Sequence, residues 1–244
     1  AIELKDQIIT DVGSVKVGLV EAARRVFGEL PENFIPGHPI AGSEKHGVVA
    51  ADPNLFRQHK VILTPEEGTN PDAIARVEKL WRGLGADVVS MSVSHHDDVL
   101  AQTSHLPHLL AYALVDTLSA GGDSLEVFQY AAGGFRDFSR IAASDPTMWR
   151  DIFLANKEPL VQVLDQYQLK LETLKQLIES GDADQIKDLL GRAKVARDHF
   201  SNLQAEAFNN NPAEALNNTP AEVLNNTPAE VLNRNLNKKD PDPK

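Results

Sequence analysis

Apolar positions follow two rhythms in the first ninety residues. Short β-branched runs alternate with stretches at helical spacing, which is the pattern of an α/β layer. Ile8-Ile9-Thr10-Asp11-Val12 ends at Gly13 and predicts a strand followed by a turn. From Ser14 to Phe27, apolar Val15, Leu19, Ala22, Ala23 and Val26 predict a helix with Ser14 as its N-cap. Phe34-Ile35 predicts a short strand before Pro36-Gly37, and Lys60 to Thr64 predicts another before Pro65. Asn70 and Pro71 open a helix reaching Leu84, with Ile74, Val77, Leu80 and Trp81 on one face. Gly85 ends it, and Asp87 to Met91 predicts a further strand. The alternation implies a largely parallel sheet.

Past Met91 the pattern becomes helical throughout. A long stretch from Ser94 to Leu118 carries Val99, Leu106, Leu109, Leu110, Ala113 and Leu114, and Pro107 should kink or break it. Shorter helices are predicted over 124–132 and 135–143, and Asp145-Pro146 starts another. Residues 157–179 are periodic up to Gly181, and Asp182 opens a last helix to Ala207. There are more apolar faces here than a thin bundle needs, so a helical dimer interface is expected. Residues 209–216, 217–224 and 225–232 then repeat as NNNPAEAL, NNTPAEVL and NNTPAEVL. Eight-residue units with a proline in each are too short for a solenoid, so 209–244 reads as an Asn/Pro-rich disordered tail.

Composition narrows the class. The 244 residues hold 24 Lys and Arg against 35 Asp and Glu, a formal charge of −11, and no cysteine. Disulfides and Cys-ligated zinc are excluded, and a cytoplasmic compartment is the expectation. No apolar run approaches the roughly 18 residues of a membrane span, and no secretory signal pattern is visible. The acidic balance argues against nucleic acid as a partner.

Four stretches stand out from the periodic background. Thr10 to Lys16 lies at a strand-to-helix turn, where backbone N–H groups and the Ser14 hydroxyl face the carboxyl edge of the sheet. Ser14 is either a helix cap or a ligand-facing hydroxyl. Gly37 to Gly47 packs three glycines with His38, Ser43 and Glu44 into a poor helix and a poor strand. His38 follows a strand end, and a neutral imidazole there can accept a proton; a surface histidine is the alternative. His95-His96-Asp97-Asp98 and Ser104 to His108 are dense in imidazole and carboxylate, but their spacing suits no metal site. A polar interdomain contact or a substrate-facing histidine fits them better. Gly133 to Arg140 places Arg136 and Arg140 at i,i+4 beside Phe135 and Phe138. That pair reads as a carboxylate clamp or as surface ion pairs with Asp137 and Asp145.

Together these stretches resemble the prephenate/arogenate dehydrogenase family of tyrosine biosynthesis. The resemblance is carried by TDVGSVK (10–16), GHPIAGSEKHG (37–47), HDDVLAQTSHLPH (96–108) and GGFRDFSRIAASDPTMWRDIF (133–153). It implies an oxidoreductase that passes a hydride from a cyclohexadienyl ring to NAD or NADP while the ring carboxylate leaves as CO2. The substrate would be prephenate or arogenate, with tyrosine as a possible inhibitor. By motif position His38 is the base at the ring hydroxyl and Ser14 orients that hydroxyl. Arg140 matches the ring-carboxylate ligand. Arg136, His108, Trp149, Glu44 and Gly133 match substrate-pocket positions, and Gly13, Ser14 and Ser43 lie on the nicotinamide side.

The resemblance also sets the fold class. An α/β part at 1–93 is expected to be the C-terminal half of a Rossmann-like nucleotide-binding domain, followed by a helical substrate and homodimerisation domain at 94–208. No G-x-G-x-x-G turn precedes Asp11. The N-terminal mononucleotide half is therefore expected to be missing, with Ala1 an internal edge. A second reading is a catalytically incomplete remnant that binds a tyrosine-like ligand or only dimerises. A third is another α/β-plus-helical dehydrogenase, such as a hydroxyacid enzyme.

Overall fold

The computed structural model describes residues 6–42, 47–48, 51–120 and 128–209, with side chains to 202. The chain forms two units, Ala1–Lys170 and Leu171–Lys244. The first begins with β1 (Ile9–Thr10), α1 (Val17–Phe27), β2 (Phe34–Ile35), β3 (Gly37–Pro39), β4 (Lys60–Leu63), α2 (Pro71–Gly83) and β5 (Asp87–Ser90). Helices follow: α3 (Val93–Leu100), α4 (Leu106–Ser119), α5 (Gly133–Ser139), α6 (Pro146–Ala155) and the start of α7 (Lys157–Ser180). The second unit holds the end of α7, α8 (Ala183–Asn209) and the repeat tail. The tail beyond residue 209 and residues 124–127 of the helix expected over 124–132 lie outside the described residues.

Two of the three strand pairings are parallel, as expected: β1 with β2, and β4 with β5. The departures are β3, which runs antiparallel to β4, and the split into a β1-β2 sheet and a β3-β4-β5 sheet. One extended segment, residues 34–39, serves both sheets. Pro36 sits at the changeover, where its missing N–H breaks the ladder. Its carbonyl still accepts from Thr64 N at 2.9 Å. His38 consequently stands on a strand, with its register partner Ile62, rather than in a loop. Gly37 allows a close approach there: a Cβ would lie 3.1 Å from the Asp11 carbonyl oxygen and 3.2 Å from Leu63 Cδ2, so either would have to give way.

Two apolar clusters hold the α/β part. Ile35, Val61, Leu63, Ala73, Val77, Trp81, Ala86 and Val88 seat α2 on the sheet, and Val20, Ala23, Phe34 and Val93 seat α1. α2 starts as its sequence predicts, with the Asn70 side chain accepting from Asp72 N and Pro71 in the first turn.

α1 starts differently. It begins at Val17, and Lys16 occupies the cap position without a side-chain cap. Ser14 is therefore not the N-cap. The carboxylate of Asp97, from α3, accepts Lys16 N at 2.9 Å and Val17 N at 2.8 Å. A cap supplied through space leaves no local sequence signal.

Pro107 acts as foreseen, by a specific device. Ala101–His105 is a π turn between α3 and α4, with Leu106 N donating to Ala101 O five residues back. Proline has no N–H for the α-helical acceptor four residues earlier, and the widened turn absorbs the fault. Asp145 caps α6 through Met148 N.

In the second unit, Leu171, Ile178, Leu190, Val195 and Phe200 are exposed along α7 and α8. No helix among the described residues is long and apolar enough to cross a membrane.

Candidate active site

Strand β3, the turn after β1, the π turn and α6 converge on a cavity of about 450 Å³. Ser14, His38, His108 and Trp149 line it, as do Ser144 and Met148 from the fourth sequence stretch. Leu100, Ser104, His105, Ile141, Ile152 and His59 complete much of the wall.

His38 is held at one ring edge. Its Nδ1 lies 2.9 Å from His96 Nε2, and His96 Nδ1 lies 2.7 Å from Asp97 Oδ1. A carboxylate only accepts, so His96 Nδ1 donates to it. A neutral His96 then accepts at Nε2 from His38 Nδ1–H, which leaves the lone pair of His38 on Nε2. His96 and Asp97 are buried at 0% and 1% exposure, so water does not compete for these bonds. Burial is the main reason the His38 pKa falls to about 3, with the Lys16 ammonium adding repulsion against a smaller opposing pull from Asp97. For Asp97 burial alone would raise the pKa, but hydrogen bonds from His96 and from the Lys16 and Val17 amides outweigh it and lower it.

Lys16 supports His38 from below. It is fully buried, and its ammonium donates to Asp11 and, at 2.6 Å, to the Gly37 carbonyl. Asp11 returns through Oδ1, which accepts Gly37 N at 2.9 Å, and Oδ2, which accepts Gly13 N at 2.7 Å. The residue preceding His38 is thus tied on both sides. Burial lowers the Lys16 pKa against the pull of Asp11.

The opposite wall is aromatic. His108 stacks on Trp149 with centroids 3.7 Å apart and 20° between planes, and its Nδ1 lies 2.8 Å from Ser104 O. His105 meets Trp149 edge to face at 6.2 Å. Burial lowers the His105 pKa to about 4. Tyr112 donates to Ser144 O at 2.7 Å and ties α4 to the turn before α6.

Some candidates fall elsewhere. Arg136, Arg140 and Gly133 are exposed on α5 and the 3-10 turn that follows it, outside the cavity lining, although Ile141, next to Arg140, lines it. Arg140 closes α5 with helical backbone angles and its N–H bonded to Arg136 O, so the two arginines lie one turn apart on one face, as their spacing predicts. Gly13 lies one residue from the lining residue Ser14. Ser43 and Glu44 lie outside the described residues. Sequence reasoning grouped His96 and Asp97 as a polar contact but gave no sign of the cap on α1. It included His105 in a stretch read as a polar contact or a substrate-facing histidine, without giving it a role of its own, and it missed Asn156, whose role no local pattern could have signalled. Among the described residues no cluster of three or more His, Asp and Glu is arranged to hold a metal ion.

An α/β part joined to helices, with half-buried His38 bonded to buried His96 and lining a cavity, defines a site suited to proton exchange with a small ligand. The comparisons specify it. Residues 2–90 match the nucleotide-binding domain of prephenate dehydrogenase, and residues 92–192 match its dimerization domain. The solved prephenate dehydrogenase of Aquifex aeolicus, in complex with hydroxyphenyl propionate and NAD+, is 42% identical, with a TM-score of 0.73 over 80% of this chain and 68% of that one. Synechocystis arogenate dehydrogenase is 31% identical, with a TM-score of 0.68 over 79% of this chain and 69% of that one. The cyclohexadienyl dehydrogenase of Zymomonas mobilis is 41% identical over 79% of this chain and 66% of its own length. The prephenate dehydrogenase of Bacillus subtilis is 40% identical over 78% of this chain, which spans 52% of that protein. The chain belongs to the prephenate dehydrogenase family.

Proposed function

We propose that the cavity binds prephenate or arogenate and that the protein carries out its NAD- or NADP-dependent oxidative decarboxylation in tyrosine biosynthesis. The observation that carries this reading is the His38–His96–Asp97 chain, which leaves one lone pair, on His38 Nε2, for the cavity.

His38 accepts a hydrogen bond from the hydroxyl on the ring carbon, and Ser14 orients the same hydroxyl. As hydride leaves that carbon, the O–H bond electrons move toward a carbonyl. Loss of the ring carboxylate as CO2 returns an electron pair to the ring, which becomes aromatic, and the oxygen regains its proton. The proton is shared and returned, so a weakly basic imidazole suffices, and a His38 pKa of about 3 keeps it neutral at working pH. The preorganised Nδ1 contact needs no rearrangement during the reaction.

A nicotinamide dinucleotide, when bound, supplies the hydride acceptor. The turn after β1 fits that ring: Val12 is 62% exposed beside Ser14, and Gly13 presents no side chain. Gly13, Ser14 and Ser43 would face it. No pyrophosphate-binding G-x-G-x-x-G turn occurs in the 244 residues, which supports reading residues 2–90 as the second half of a Rossmann-like domain. Trp149 and His108 offer an apolar, stacked wall to the cyclohexadienyl ring. By motif position Arg140, exposed beside the lining residue Ile141, would take the ring carboxylate from the rim of the cavity, and Arg136, Gly133 and Glu44 are carried over as further substrate-contact positions on the resemblance alone. The exposed Leu171, Ile178, Leu190, Val195 and Phe200 suit a homodimer contact.

The test is NADH or NADPH formation with prephenate and with arogenate, alongside calorimetric binding of hydroxyphenyl propionate. Turnover of one substrate and binding of the analogue are expected. The absence of both turnover and binding would overturn the reading.

A further inference from the structure

His105 is 1% exposed, lines the cavity, and stands at the end of the π turn. Its Nδ1 lies 3.0 Å from Nδ2 of Asn156, a residue 2% exposed just after α6. The same Nδ2 donates to the Asp97 carbonyl oxygen at 2.8 Å. That second bond fixes which way the amide points, because a carbonyl cannot accept from the amide oxygen. Asn156 Nδ2 therefore meets His105 with a hydrogen, and His105 Nδ1 has to be the acceptor. A neutral imidazole that accepts at Nδ1 carries its hydrogen on Nε2.

We infer that Asn156 is a positioning residue that holds His105 as an Nε2–H donor toward the cavity, where it binds an acceptor oxygen, of carboxylate or carbonyl type, on the ligand. The cavity then has two imidazoles of opposite polarity. His38, whose Nδ1 donates to His96, accepts through Nε2; His105, whose Nδ1 accepts from Asn156, donates through Nε2. A ligand with a hydroxyl at one end and an oxyanion or carbonyl at the other is read in one orientation. Reversing it would set a hydroxyl hydrogen against an N–H and an acceptor against a lone pair, and each buried mismatch is unfavourable. Asp97 joins the two imidazoles: its carboxylate anchors His96, and its carbonyl anchors Asn156.

The ligand contact rests on the reading of the cavity as the substrate site; the tautomer does not. Histidine ring 15N spectra of the free full-length chain decide the tautomer. The expected spectrum has a pyridine-type Nδ1 and a pyrrole-type Nε2 at His105. Asn156→Asp, which presents only acceptors, should move the hydrogen to Nδ1. A wild-type His105 protonated on Nδ1 overturns the inference, as does an unchanged His105 in a folded Asn156→Asp protein; if that variant does not fold, the wild-type spectrum still decides. Titration with hydroxyphenyl propionate should then shift both His38 and His105. A shift at His38 alone overturns the donor contact and leaves the site reading intact, whereas a shift at neither overturns both. In turnover, His105→Gln keeps an N–H near the Nε2 position and should hold KM within about threefold, while His105→Asn should raise KM about tenfold, corresponding to roughly 1.4 kcal/mol. Equal KM values for the two variants would contradict the assignment.

Discussion

His38 and His96 come from elements 58 residues apart and meet ring to ring, with 2.9 Å between Nδ1 and Nε2. Because Asp97 fixes the far side of His96, this contact sets the direction of every hydrogen bond in the chain. Asp97→Ala removes the anchor of His96 and both amide acceptors at the start of α1. A loss of about 3 kcal/mol is expected, more than the roughly 1 kcal/mol of an ordinary N-cap, because His96 is left buried without its partner. Urea unfolding measures it; a change below about 0.5 kcal/mol would show that the contact contributes little.

Lys16 is a buried cation whose partners are Asp11 and the carbonyl before the candidate base. Lys16→Met should destabilise the protein by about 3 kcal/mol, since the pair is broken from one side only. Chemical denaturation tests this. A Lys16→Met protein of unchanged stability would mean that Asp11 is adequately held by the Gly13 and Gly37 amides alone.

Gly37→Ala would push a methyl group against the Asp11 carbonyl at 3.1 Å. Overpacking between two backbones should cost about 1–3 kcal/mol and displace His38, so stability and turnover fall together. Thermal melting with parallel kinetics checks the coupling; a Gly37→Ala protein with wild-type values of both contradicts the close approach.

Acid should weaken the fold through His38 and His105. Their folded pKa values, about 3 and about 4, lie below the ordinary 6.5. The unfolded chain therefore binds more protons between those limits, and stability rises with pH there. Their contribution is complete above pH 6.5 and is lost as pH falls toward the folded values, about 4 for His105 and about 3 for His38, at no more than about 1.4 kcal/mol per pH unit per group. Melting temperatures at pH 7 and pH 5 should differ, and His105→Gln should narrow the difference. The same difference in both proteins would exclude His105 as a source.

Local signals were readable where the chain satisfies itself. Asn70-Pro71 and Asp145-Pro146 cap their own helices, and each helix starts where the sequence places it. The start of α1 was misread because its cap lies some 80 residues away, and Ser14 looked sufficient. Release from capping leaves Ser14 to line the cavity, which favours its ligand-facing reading. The antiparallel β3 was hidden because three residues rich in Gly and Pro have no strand propensity; pairing with β4 forms it. His38 and Trp149 were singled out by their motifs and both line the cavity, but the polarity of the site was not legible. It depends on Asn156 and His96, whose partners are set by tertiary folding.

The central claim is that His38 acts on the ring hydroxyl as a hydrogen-bond acceptor. Steady-state NADH or NADPH formation by wild type and His38→Asn, with the substrate the wild type uses, tests it most directly. A kcat lower by about 10²–10⁴-fold, with KM nearly unchanged, is the predicted result, since the contact strengthens mainly in the transition state. A His38→Asn protein with wild-type kcat would contradict the account.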